Sequence, residues 1–199
     1  MMQDEETSRG ADTPYAAPLA TASKNEVIPP SHVVEFAVEV SGWSPCRSKR
    51  GVVIFSEGDG EVITHGYNYK PRGFDCDGSE RCKATCRVEA VHAEQQALLA
   101  GGRRVAGEEM LHVKTVDGQL VASGGPSCVQ CSKLVLVCGI AGVWLFHEDG
   151  WRRYLPGEFH QLSLIAHRSD AVARSVSKQA EPTPRATSSS VISRSLDDE

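Results

Sequence analysis

Long apolar runs are missing from this chain, and aromatic residues make up only 6% of it. No segment is long and apolar enough to span a bilayer, and the start lacks a basic stretch followed by an apolar one. Neither a membrane span nor a secretory leader is therefore expected, and the chain reads as cytoplasmic. A broad excess of basic charge is also lacking, since 21 Lys and Arg stand against 26 Asp and Glu for a formal net charge of -5. That balance argues weakly against duplex DNA as a partner, because phosphate neutralisation needs a clustered basic surface. Basic residues do gather locally, at Arg47, Lys49 and Arg50, at Lys70 and Arg72, at Arg103 and Arg104, and at Arg152 and Arg153. Such runs are usually solvated surface, although one of them can still hold a single phosphate.

What is present is enough for one core. At 199 residues and 40% hydrophobic content a single domain is the expectation. The ends differ in composition: residues 1–29 are acidic and then rich in Ala, Thr and Pro, and residues 169–199 are Ser, Thr, Pro and charge. Both read as disordered tails flanking a domain at 30–168. Seven cysteines in a reducing compartment favour metal binding over disulfides. Their odd number leaves one thiol over, for which Cys138, late in a helix, is the candidate.

The pattern alternates helices and strands. After Pro29-Pro30, Ser31 is expected to cap a helix with Val33, Phe36, Ala37 and Val40 on one face and Gly42 at its end. Val52–Phe55 and Val62–His65 read as a hairpin across the Glu57–Gly60 turn. Asp75–Arg87 reads as a polar loop carrying Cys76, Cys82 and Cys86. A second helix is expected from Glu89 or Ala90 to Ala100, burying Ala97, Leu98 and Leu99 and stopping at Gly101-Gly102, with His92 and Glu94 in its first turn. Leu111–Val116 is a third strand, turned at Asp117-Gly118 into Leu120–Ala122. A third helix covers Cys128 to Cys138, Val143–Phe146 returns as a strand parallel to the sheet, Trp151–Tyr154 adds an edge, and Phe159–His167 is a last amphipathic helix.

Two short motifs carry chemistry: His92-Ala93-Glu94, and Pro126-Ser127-Cys128-Val129-Gln130-Cys131. One imidazole and two thiolates make three zinc ligands and leave a fourth position open, as catalytic zinc sites do. Glu94 is then free to move protons. Alone, the second motif also fits a redox pair or half of a zinc knuckle, but neither accounts for His92 and Glu94. Together, in this order, the motifs resemble the cytidine/deoxycytidylate deaminase superfamily, whose pattern is H-x-E followed by P-C-x-x-C. Here Ser127 stands between the proline and the first cysteine, a departure from that pattern. The Asp117-Gly118 hairpin looks like an insertion before the cysteine motif.

The resemblance implies a three-layer α/β/α sandwich with a mixed central sheet. It implies zinc on His92, Cys128 and Cys131, and Glu94 as the proton carrier. The backbone N–H of Ala93 would face the base. The segment Gly66-Tyr67-Asn68 is similar to a pocket wall of deoxycytidylate deaminases, which gives Asn68 a role toward the sugar. An ordinary turn asparagine bonding its own backbone is the alternative. Cys46, Cys76, Cys82 and Cys86 make a four-thiolate set for a second, structural zinc, with His65 or His112 as substitutes, or else they are reduced thiols or a reversible disulfide.

The implied activity is hydrolytic deamination of an amino-bearing base, a cytosine nucleotide or nucleoside such as dCMP, in a homo-oligomer. Two rivals stand beside it. A base-editing deaminase acting on RNA or single-stranded DNA would need exposed aromatics, for which Trp43, Trp151 and Tyr154 are the candidates. A zinc-stabilised interaction module without catalysis would have no use for the free carboxylate of Glu94.

Overall fold

The computed structural model describes residues 28–179. The tails expected at 1–29 and 169–199 lie outside it except for 28, 29 and 169–179. In chain order the elements are α1 (Ser31–Gly42), β1 (Lys49–Phe55), β2 (Val62–Tyr67), α2 (Glu80–Glu89), α3 (Ala93–Gly101) with a 3-10 turn at Gly102–Val105, β3 (Glu109–Val116), β4 (Gln119–Val121), α4 (Val129–Val137), β5 (Gly142–His147), β6 (Gly150–Tyr154) and α5 (Pro156–Gln179). The six strands form one mixed sheet in the order β2-β1-β3-β5-β6, with β4 hydrogen-bonded to the end of β3. Only β3 and β5 run parallel, joined by the crossover through α4; the other pairs are antiparallel.

Strand alternation sends successive side chains to opposite faces, and the two faces have separate cores. On one, Val33 and Ala37 of α1 pack on Val53, Phe55, Leu111, Val113 and Trp144. On the other, Ala93, Ala97, Leu98, Val135 and Phe159 from α3, α4 and α5 cover Val52, Ile54, Met110, Val143 and Leu145. This is the three-layer α/β/α arrangement expected, with helices on both faces of a mixed sheet.

Glycine sets how closely the helices approach. A Cβ on Gly66 of β2 would stand 2.4 Å from the carbonyl oxygen of Ala93 and 2.6 Å from the nitrogen of Ala97. On the opposite face a Cβ on Gly51 of β1 would stand 2.3 Å from the Ala37 carbonyl oxygen. Both helices thus lie directly on the strand backbone, which only a residue without a side chain permits. Gln96 locks the first of these contacts, its Oε1 accepting the Tyr67 N–H at 2.6 Å.

Several boundaries differ from expectation. Ser31 is the first residue of α1 and not its cap; Pro30 occupies the cap position and its carbonyl accepts the Val33 N–H at 3.0 Å. The cysteine segment is a loop only as far as Ser79, with Cys76 in it; from Glu80 onward it is helix α2. Ser79 caps α2 by accepting the Cys82 N–H at 3.0 Å, and Cys82 and Cys86, one turn apart, share a helix face. Its low apolar content hid the helix from a search for hydrophobic periodicity. Because α2 ends at Glu89, the next helix cannot begin there: Val91 forms a bridge with Tyr69, and α3 starts at Ala93 with His92 as its N-cap. Leu99, expected in the core, is 79% exposed on the outer side of α3. Helix α5 begins at Pro156, a residue whose fixed φ suits a first helical turn, and runs beyond the expected 159–167 to Gln179.

Candidate metal centre

Two helix starts converge on one point. His92 is the N-cap of α3 and Cys128 the N-cap of α4, both with extended backbone, so both side chains leave the helix ends toward the gap between them. Packing of α3 on α4 closes the gap. His92 Nδ1 lies 3.3 Å from Cys131 Sγ and 3.4 Å from Cys128 Sγ, and the two sulfurs are 3.5 Å apart. Tetrahedral zinc with its usual bonds to nitrogen and sulfur spaces such donors by roughly 3.5–3.8 Å, so the donor set fits that ion with a shift of a few tenths of an ångström. Among the described residues this is the one group of His, Cys, Asp and Glu donors whose ligand atoms all lie within 4.8 Å of one another. Cys131 is fully buried. The hydrogen bond shared with Cys131, with the His92 ring adding to it, draws the Cys128 thiol down to about 4, while the same bond and burial push Cys131 up.

Glu94, the second residue of α3, is 5% exposed beside this triad. Its Oε1 accepts a short hydrogen bond from the Ser127 hydroxyl, the very residue that departs from the resembled motif. Burial pushes the Glu94 carboxyl up, but His112, Ser127, its own backbone N–H and His92 together hold it below the ordinary carboxylate range. A buried, ionised carboxylate aimed by a fixed donor is equipped to take a proton. Ala93, the other residue of the motif, is buried as the first residue of α3.

Asn68 follows β2, and its amide is engaged at both ends by the start of β1. Oδ1 accepts the Arg50 N–H at 2.8 Å and Nδ2 donates to the Ser48 carbonyl at 2.8 Å. The Ser44 hydroxyl donates to its backbone carbonyl at 2.7 Å. Asn68 thus ties the 44–48 loop to the strand ends, with one further donor and one further acceptor position on the amide.

The four remaining candidate thiols gather around α2. Cys82 Sγ lies 3.5 Å from Cys76 Sγ and 3.7 Å from Cys86 Sγ, and Cys46, 3% exposed, interacts electrostatically with Cys76 and Cys82. They are not drawn together as tightly as the first triad. The proposed histidine substitutes lie elsewhere: His65 packs its ring 5.3 Å from Phe36 and from Trp43, and His112 faces Glu94.

Three neighbouring residues carry little signal in the sequence. Arg50 falls in a basic run that reads as solvated surface when β1 is begun at Val52, three residues after its start at Lys49. Counting back by twos from Ile54 and Val52 puts Arg50 on the face that carries α3 and α4. The same count from Met110 puts His112 there. Ser123 leaves β4 with its N–H bonded to the Phe146 carbonyl at 2.7 Å, and its own carbonyl accepts from Arg50 Nη1 at 3.4 Å. A cavity of about 400 Å3, lined by Ala122, Gly124, His147, Glu148 and Asp149, opens along this segment.

The candidates for a nucleic-acid platform are occupied otherwise. Trp43 is 45% exposed but packs edge-on against Phe36, His65 and Tyr67. Trp151 lies on Phe146, the Tyr154 hydroxyl meets His147 Nε2 at 2.8 Å, and Arg152 and Arg153 are paired with Asp149 and Glu109. No helix among the described residues is long and apolar enough to cross a membrane.

No family model matches the chain, and no curated protein matches it. Solved structures similar to it include apo dCMP deaminase from the cyanophage S-TIM5, at 23% identity over 57% of this chain and 78% of that one with a TM-score of 0.41. Cytidine deaminase from Burkholderia pseudomallei shares 19% identity over 65% of this chain and 94% of its own, with a TM-score of 0.42. RibD from Acinetobacter baumannii shares 15% over 56% and 26%, with a TM-score of 0.35. The chemistry of the centre stands on its own residues.

Proposed function

We propose that the chain is a zinc-dependent hydrolytic deaminase that replaces the amino group of a nucleobase by an oxo group, with a cytosine nucleotide or nucleoside such as dCMP as the substrate. The observation that carries this reading is the His92–Cys128–Cys131 triangle with a buried carboxylate, Glu94, held at its edge. A redox pair would need only the two sulfurs, and a closed structural site would have a fourth protein ligand and no free carboxylate. Zinc bound to His92 Nδ1, Cys128 Sγ and Cys131 Sγ would supply the Lewis acidity that makes hydroxide accessible near neutral pH.

The protein's own residues do the rest. Glu94 takes a proton from water and delivers it to the ring nitrogen beside the amino-bearing carbon. As the C–O bond forms at that carbon and the C–N bond breaks, it carries the remaining proton of that water, released as the hydroxyl becomes the oxo group, to the departing nitrogen, which leaves as ammonia. Ser127 keeps the carboxylate turned inward. The N–H of Ala93, at the start of α3, binds the base, and Asn68 offers its remaining amide positions to the sugar.

Cys46, Cys76, Cys82 and Cys86 suit a second, structural zinc that would clip α2 to the 44–48 loop, where apolar contacts are few. Ammonia release from a panel of bases, nucleosides and nucleotides tests the activity. Glu94→Gln should lower turnover by about 10²–10⁴-fold with zinc retained; a variant as active as the wild type would remove Glu94 from the mechanism. Release from no compound in the panel would leave the interaction module as the better reading.

A further inference from the structure

Among the described residues, two buried side-chain polar atoms lack a hydrogen-bond partner: His112 Nδ1 and Ser123 Oγ. His112 is 7% exposed and Ser123 5%. Buried polar groups are nearly always paired, so two orphans ask for a common explanation. They have one, because both border the same half-buried guanidinium. Arg50 Nη1 donates to the Ser123 carbonyl, and Arg50 and His112 influence one another electrostatically.

The strand register adds a further cation. Arg50 stands directly opposite Lys114, and Val52 opposite His112, so Arg50, His112 and Lys114 share the face of the sheet that carries the metal triad and Glu94. Like charges directly opposite each other on a sheet destabilise it. Neither Arg50 nor Lys114 has an ion-pair partner among the described residues. A guanidinium fork, an ammonium, an imidazole and a hydroxyl form a donor-rich wall whose partners are the Ser123 carbonyl, bonded to Arg50, and the single carboxylate of Glu94, which acts electrostatically on Arg50 and His112.

We propose that Arg50, Lys114, His112 and Ser123 form an oxyanion subsite beside the catalytic centre, receiving a phosphate or carboxylate group of the ligand. Arg50 supplies paired N–H donors and charge, Lys114 a second charge, and the two orphaned atoms complete the hydrogen bonding. This deepens the deaminase reading by assigning the wall that selects an anionic substrate over a neutral one.

The test is calorimetric binding to the zinc-loaded full chain, with inorganic phosphate, the pair dCMP and deoxycytidine, and 5-carboxycytosine as probes. The comparison is made in wild type, Arg50→Met and Lys114→Met, the last guarding against an Arg50 variant that fails to fold. If the group is a phosphate, dCMP should bind at least about tenfold more tightly than deoxycytidine, and either substitution should erase that preference while leaving deoxycytidine binding unchanged. If it is a carboxylate, 5-carboxycytosine shows the dependence and dCMP does not. Equal binding of charged and neutral probes, or the same affinities in the variants, overturns the subsite and leaves the orphans to ordered water. Ammonia release is scored separately. Arg50-dependent binding without turnover would sink the deaminase reading and keep the subsite, and turnover indifferent to Arg50 and Lys114 would do the reverse.

Discussion

At the residue scale the unusual position is Ser127. Its hydroxyl donates to Glu94 Oε1 from the residue just before Cys128, a candidate ligand, so one loop residue couples the start of α4 to the carboxylate of α3. A hydrogen bond to a charged group is worth about 1.5–3 kcal/mol, or roughly ten- to hundredfold in rate if it is needed to orient the base. Ser127→Ala should therefore lower kcat by that factor with zinc content unchanged, and Ser127→Thr should restore most of it. A drop in bound zinc together with activity would instead make Ser127 a support of the metal site. The two motifs were legible because their chemistry is carried by residue type at short spacing. Arg50 and His112 were not, since strand alternation assigns Arg50 a face only once β1 is known to reach back to Lys49, and it does not say which helices cover that face.

At the element scale, the distance between α3 and β2 decides where His92 and Glu94 stand. A methyl group at Gly66 would press on the Ala93 carbonyl and the Ala97 nitrogen, backbone atoms with little freedom to yield. Gly66→Ala should cost about 1–3 kcal/mol of stability in urea denaturation and displace the start of α3, weakening zinc retention as well. A variant as stable as wild type would show that α3 can back away without penalty.

A second element contact lies away from the centre, where the buried Glu109 of β3 meets three donors. Trp144 Nε1 stands at 2.7 Å, Arg153 Nε at 2.9 Å, and Arg153 Nη2 makes a shorter bond. Arg153→Met leaves that carboxylate with one neutral donor and should destabilise the fold by about 3–5 kcal/mol. Glu109→Gln with Arg153→Met should recover part of the loss, because the uncompensated charge is gone. The element that eluded the sequence, α2, did so for a physical reason: it is ordered by the Ser79 cap, the Lys70–Glu89 pair at 2.9 Å and its cysteines, none of which leaves a hydrophobic period.

At the scale of the whole molecule, metal removal separates the two thiol groups. Zinc bound only to the folded state stabilises it by mass action, so a chelator should lower Tm and abolish turnover, and added zinc should restore both. Cys76→Ser with Cys82→Ser should lower the zinc content by one ion per chain while His92, Cys128 and Cys131 keep theirs. An unchanged content would reduce the α2 thiols to bystanders.

The sequence by itself determined the alternation of helices and strands and offered His92, Cys128 and Cys131 as candidate metal donors with Glu94 beside them, while the three-layer class came through the resemblance that those two motifs carry. The alternation and the candidate donors follow from local quantities: apolar periodicity, turn residues, and ligand types a few positions apart. Only the tertiary structure decided that two helix N-caps meet to close the donor triangle, that a polar stretch is a helix, and that Arg50, His112 and Lys114 share the sheet face covered by α3 and α4. Those facts depend on strand register and on helix approach across Gly66, which arise between segments far apart in the chain and leave no mark on either segment alone.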